Sequence, residues 1–188
     1  MLKDVTNSLK EVLDEIFIIS SDKEVLAYGE SLNLKTIVED DDSNLNKALT
    51  QAMEECKDKV KRVLIMPSDV PLIGKTNIGL LVAQSDNLPF IIVPAKGGGT
   101  NAILMNPLAI DMKFGDYSFI KHIKEAQNKG FTPMIHDSFY MAMDVNTTED
   151  LGEILIHGNG SETQKYLKSI GITVKSIHGP ERLKVNRE

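Results

Sequence analysis

Two carboxylates, Asp69 in Met66-Pro-Ser-Asp-Val-Pro71 and Asp144 in Met143-Asp-Val-Asn146, are the residues of this sequence best placed to do chemistry. The first follows Lys61-Arg-Val-Leu-Ile-Met66, the clearest strand pattern in the chain. An Asp at the C-terminal tip of a buried strand, stiffened by a proline on either side, can hold Mg²⁺ together with a bound phosphate, because this small cation takes oxygen ligands and needs few protein carboxylates. Asn146 comes two residues after Asp144, on the same side of an extended chain, and adds a neutral oxygen. A plainer account makes Asp69 an Asx turn that caps the next segment. The second strand-end carboxylate favours the metal.

Between these carboxylates lies Lys96-Gly97-Gly98-Gly99-Thr100-Asn101-Ala102, flanked by Pro89-Phe-Ile-Ile-Val-Pro94 and Ile103-Leu-Met105. A glycine run is costly to order, and bare consecutive amides can form a nest for phosphate or carboxylate, with Lys96 and the Thr100 hydroxyl at its edges. Taken alone, the run reads first as a β-hairpin connection. Further on, Phe114-Gly115-Asp116-Tyr117-Ser118 opens a helical pattern in which Ser118 and His122 share one face. There an anion could meet a hydroxyl, first-turn amides and the imidazole. For His122 itself, packing is the preferred account.

The elements that must position these groups alternate. Leu2, Val5, Leu9, Val12, Leu13 and Ile16 recur at helical spacing and lead into Ile16-Phe-Ile-Ile19, a buried strand. Ser20-Ser21-Asp22 supplies the cap of a short helix to about Ser31, and Leu34–Val38 is the next strand. Asp40, Asp41 and Asp42 read as a solvated loop. Asn44 and Asn46 open the following helix at a strand's C-terminal end, where open α/β sheets bind ligands, and are assigned to nucleotide binding. Pro133–His136 and Phe139–Met143 read as strands, the second delivering Asp144, with a helix over Ser161–Ile170 and a strand over Thr173–Ile177 after it. The pattern is one α/β domain over 1–178, followed by a polar tail over 179–188.

Composition narrows the function classes. The 188 residues carry a net charge of −6, which excludes the basic footprint of a nucleic-acid binder but permits a small anion held by local groups and a metal. A single cysteine, Cys56, excludes an internal disulfide and suits a reducing cytoplasm. No apolar run approaches the roughly 20 residues that cross a bilayer.

Met66-Pro-Ser-Asp-Val-Pro71, Gly98-Gly-Thr-Asn-Ala102, Phe114-Gly-Asp-Tyr-Ser118 with His122, and Met143-Asp-Val-Asn-Thr-Thr-Glu-Asp-Leu151 stand in the order and spacing of a known family. The sequence resembles the 2-phospho-L-lactate guanylyltransferases of coenzyme F-420 biosynthesis, which are similar in fold to the MobA-like nucleotidyltransferases. The resemblance implies a three-layer, Rossmann-like nucleotidyltransferase with a mainly parallel mixed sheet. It also implies GTP and 2-phospho-L-lactate as substrates, with Mg²⁺ held by Asp69, Asp144 and Asn146. By the same resemblance Gly98, Gly99, Thr100, Asn101, Gly115 and Ser118 hold the phosphorylated acid.

Two departures stand out. The family usually has Asp where this chain has Asn146. Its members also begin with a further strand and a basic phosphate loop, whereas the first residues here already match the helix after that loop; the expectation is a sheet lacking its first strand, with exposed edges that favour a homodimer. The alternatives are a nucleotidyltransferase for another acceptor, such as phosphoenolpyruvate, 3-phosphoglycerate or a sugar phosphate, and a non-catalytic binding domain.

Overall fold

The structure is a computed structural model that describes residues 1–40, 44–86, 88–177, 179 and 182–187. Its centre is the hairpin β4 (Phe90–Pro94) and β5 (Thr100–Met105), whose near-continuous apolar runs are buried on both faces. With β3 (Val63–Ile65) and β6 (Met134–Ile135) they form a four-stranded sheet in the order β3-β5-β4-β6. Only β5 runs against its neighbours, so the sheet is mixed: β3, β4 and β6 share a direction, while the two ladders of β5 are antiparallel.

Alternation along these strands builds a core on each face. Ile91, Val93, Ala102 and Leu104 meet Val5 and Leu9 of α1 (Leu2–Lys10) and Ile78 and Leu81 of α4 (Lys75–Gln84). Phe90, Ile92, Ile103 and Met105 meet Met53 of α3 (Leu45–Cys56) and Ala126 of α5 (Ser118–Asn128). The result is the expected three-layer α/β arrangement. A separate parallel pair, β1 (Phe17–Ser20) and β2 (Lys35–Val38), joined by α2 (Lys23–Ser31), lies outside this sheet, and α3 packs against both β1 and β3. Among the described residues no helix is long and apolar enough to cross a membrane.

Three expectations change. The opening helix ends at Lys10, although Val12, Leu13 and Ile16 still pack on the core. Phe139–Ala142 is a short helix, α6, rather than a strand; its Met141 plugs the core while Phe139 and Tyr140 face outward, a helical partition of exposure that strand alternation does not give. The expected tail carries β8 (Leu183–Arg187), paired antiparallel with β7 (Ile172–Ser176). The cause is α7 (Thr148–His157): its Gly152 leaves room for Leu183, Val185 and Val174, whose methyl carbons lie 3.0–3.1 Å from where a Cβ would stand. The hairpin thus closes a small third core, and α8 (Glu162–Ser169) packs beside it. Of the acidic loop, Asp41 and Asp42 lie outside the described residues, while the Asp40 amide donates to Gln51 Oε1 at 3.1 Å.

Candidate active site

Four loops meet over the ends of β3 and β5. The loop after β3 brings Asp69; the β4–β5 hairpin brings Gly99, Thr100 and Asn101; the start of α5 brings Gly115 and Ser118; the α6–α7 loop brings Asp144 and Asn146. All of these line one cleft of about 440 Å³, floored by Ile65, Met66, Pro67, Ala95 and Phe114.

The carboxylates are brought together by backbone and side-chain ties. The Val145 amide donates to the Asp69 carbonyl at 2.9 Å. Asn101 Nδ2 donates to Asp144 Oδ1 at 3.3 Å and to the Met141 carbonyl at 3.0 Å, while Asn146 Nδ2 donates to Asp144 Oδ2. Asn146 therefore orients Asp144 and keeps its own oxygen available. Asp69 Oδ1 is buried and has no hydrogen-bond partner among the described residues, which is rare for a carboxylate oxygen. Burial pushes the Asp69 carboxyl above its ordinary pKa, and nearby Asp144 adds to that against the opposing backbone N–H of Asp69 itself. An orphaned anionic oxygen beside a second carboxylate and a neutral oxygen is a donor set suited to a hard divalent cation. Among the described residues no cluster of three or more His, Cys, Asp or Glu offers an alternative metal site.

The glycine run is the hairpin connection, and the amides of Ala95, Lys96 and Gly98 around it are taken up within the fold. Ala95 N–H donates to the Gly99 carbonyl, Gly98 N–H to the Ala95 carbonyl, and Lys96 N–H to the Ala142 carbonyl. The expected anion nest is therefore not built from these donors, and Gly98 serves the turn with φ +84°. Gly98 is absent from the cleft lining, whereas Gly99 lines it, and a Cβ there would make ordinary contacts with Ala95 at 3.4 Å and Ser118 Oγ at 3.9 Å. Lys96 turns away to Asp150, 3.0 Å from its carboxylate. Burial works against that carboxylate, but Lys96 and the N–H groups of Asn146 and Thr147 outweigh it and hold Asp150 below its ordinary pKa. One buried carboxylate thereby ties the hairpin tip to the loop carrying Asp144.

A β-bulge decides which way the hydroxyl wall faces. Val93 pairs with Ala102 and Pro94 with Thr100, leaving Asn101 without a partner in β4. Asn101 turns toward α6 and Asp144, while Thr100 turns toward α5. Thr100 Oγ1 lies 3.1 Å from Ser118 Oγ and 2.9 Å from His122 Nδ1. Gly115, at φ +119°, and Tyr117, held left-handed at φ 52°, shape the turn that starts α5 there.

Asn44 and Asn46, the residues expected to bind the nucleotide, both hold backbone groups within the fold. Asn44 caps α3 by accepting from the Lys47 amide at 3.2 Å. Asn46 clasps the backbone of Phe114, accepting its N–H at 2.7 Å and donating to its carbonyl at 3.2 Å. Both line a neighbouring cavity rather than the carboxylate cleft. Their side chains position the helix and the 114 loop. Conversely, the site roles of His122 and Asp150 were not assigned from sequence; the helical spacing of Ser118 and His122 was the available signal for the first.

Comparison with known proteins agrees with this geometry. The guanylyl transferase CofC-like family model matches residues 1–188. The 2-phospho-L-lactate guanylyltransferases of Methanobrevibacter ruminantium and Methanobrevibacter smithii are each 59% identical, with all of this chain aligned to 85% and 84% of theirs. That of Methanothermobacter thermautotrophicus is 45% identical, with all of this chain aligned to 84% of it. Among solved structures, a cytidylyltransferase from Leptospira borgpetersenii is similar at a TM-score of 0.63 and 11% identity, over 89% of this chain and 82% of that one. A protein assigned to the nucleotide-diphospho-sugar transferases from Desulfovibrio desulfuricans G20 gives a TM-score of 0.72 at 17% identity, over 89% of this chain and 79% of its own. The structural likenesses give the nucleotidyltransferase fold, and with the match along its whole length the chain belongs to the guanylyl transferase CofC-like family.

Proposed function

We propose that this protein is a Mg²⁺-dependent 2-phospho-L-lactate guanylyltransferase. A phosphate oxygen of 2-phospho-L-lactate attacks the α-phosphorus of GTP; the bond to the β-phosphate oxygen breaks, and pyrophosphate leaves as lactyl-diphospho-guanosine forms. The acceptor phosphate is itself the nucleophile, so no side chain need attack. The work left to the protein is in-line positioning and the handling of negative charge.

The unpartnered, buried Asp69 Oδ1 facing Asp144 across a cleft shared with paired hydroxyls is the observation that carries this reading. Asp69, Asp144 and the Asn146 oxygen would hold Mg²⁺, which when bound neutralises phosphate charge. Thr100 and Ser118 would receive the phosphate of the acid near the open, left-handed turn at Gly115. Asn101 keeps Asp144 in place rather than touching the acid. In the same reading the enzyme works in the cytoplasm as a homodimer within coenzyme F-420 biosynthesis, supported by exposed Phe139, Tyr140 and Ile156 on α6 and α7.

Pyrophosphate release from GTP, Mg²⁺ and 2-phospho-L-lactate tests it, with phosphoenolpyruvate and 3-phosphoglycerate as competing acceptors. Asp69→Asn should lower turnover by at least about 100-fold, the upper range for loss of a mere outer-shell partner, with the fold kept. Faster turnover with another acceptor would reassign the substrate, and undiminished turnover in Asp69→Asn would remove Asp69 from the site. A one-chain mass in light scattering would remove the dimer.

A further inference from the structure

His122 is wholly buried at the back of the cleft, edge-on to the Phe114 ring with centroids 4.7 Å apart. Its two ring nitrogens have different partners. Nε2 lies 2.9 Å from the Lys113 backbone nitrogen, and Nδ1 lies 2.9 Å from Thr100 Oγ1. A backbone N–H can only donate, so Nε2 must accept. Burial, with the nearby Lys113 charge, lowers the pKa of this imidazole to about 4, which keeps it neutral at physiological pH. A neutral ring carries one proton, and the only nitrogen left to bear it is Nδ1.

We infer that His122 is a positioning residue that fixes the direction of the Thr100–Ser118 hydroxyl pair, making it a net donor to the phosphate of the acceptor; this rests on the guanylyltransferase reading above. With its proton on Nδ1, His122 donates to Thr100 Oγ1. One hydroxyl proton is taken up between Ser118 and Thr100, which lie 3.1 Å apart. The other has no partner inside the network and is directed to the cleft. With the proton on Nε2 instead, Nδ1 would accept from Thr100, Thr100 would accept from Ser118, and the pair would show the cleft only lone pairs. Such a wall repels a phosphate oxygen. The Lys113 amide, which neither enters the cleft nor touches a hydroxyl, thus selects the tautomer that makes the wall attractive.

The test has two readouts on the full chain. In ¹⁵N-histidine-labelled protein near neutral pH, with the His122 signal identified by its absence from His122→Phe, the proton is expected on Nδ1; a proton on Nε2, or on both nitrogens, overturns the inference. In steady-state kinetics at saturating GTP, His122→Phe should raise KM for 2-phospho-L-lactate about tenfold, the cost of one hydrogen bond to a charged group, with kcat little changed. His122→Asn, whose Nδ2 stands where Nδ1 does and can donate to Thr100, should recover most of that loss. Mere packing predicts the reverse order, because Phe keeps the ring and Asn leaves a void. An unchanged KM in His122→Phe also overturns the inference. Absence of pyrophosphate release by the unaltered chain counts against the guanylyltransferase reading instead, and the tautomer read in the same sample still decides for or against His122.

Discussion

Burial gives His122 a second consequence, for stability. Its folded-state pKa of about 4 lies below the ordinary 6.5, so between these values the unfolded chain binds a proton that the folded chain refuses. Stability therefore rises with pH across this window: it is fully present above 6.5 and lost as pH falls toward 4, by up to about 3 kcal/mol from this one group. Urea unfolding at pH 7 and pH 4.5 should show this loss, and His122→Phe should reduce the pH dependence. At the residue scale the sequence discloses groups marked by their neighbours. Asp69 is legible because an apolar strand leads into it and prolines flank it. Asn101 and Thr100 are legible as polar residues after a glycine run, but not in what they touch. A strictly alternating strand places Thr100 on the side of Ala102; the bulge at Asn101 reverses that, and it depends on pairing with Pro94 rather than on local composition.

Elements follow the same division between local and distant causes. The near-continuous apolar runs of β4 and β5 and the helical spacing in α3 and α5 are local patterns, and each forms as expected. The segment 139–142 contains residues at home in strands, yet folds as α6 because Met141 must reach the core and its carbonyl must meet Asn101. Likewise β8 is too polar to be read as a strand, and exists because α7 offers a glycine-wide groove to Leu183 and Val185. Replacing Gly152 with Ala tests that cause. Alanine favours the helix intrinsically, but its methyl would press on three neighbours at 3.0–3.1 Å. The expected net result is a loss of about 1 kcal/mol or more in thermal or chemical unfolding, since overpacking outweighs the propensity gain. A stabilised variant would show that the β7–β8 hairpin yields freely.

Across the whole molecule, three layers supply a rigid centre, and the residues that line the cleft hang from loops at one end of it. Asp69 and Asp144 could be paired from sequence across 75 positions (144 − 69) because each closes an apolar run, although the element that delivers Asp144 is the short helix α6 and not the strand expected there. What the sequence could not convey is how unevenly the sheet is joined. Among the described residues the pair β1–β2 shares no ladder with β3-β5-β4-β6, and α3 packs against both β1 and β3. Backbone hydrogen bonds within one ladder break together, whereas those in separate ladders need not. Amides of β1 and β2 should therefore exchange with deuterium through a partial opening of lower free energy than the one that exposes β4 and β5, and they should do so in concert with α2. Exchange of both sets at one common rate limit would mean that α3 couples the two into a single cooperative unit. If the rates separate, the protein has a region that can open and reclose while the cleft over β3 and β5 stays formed.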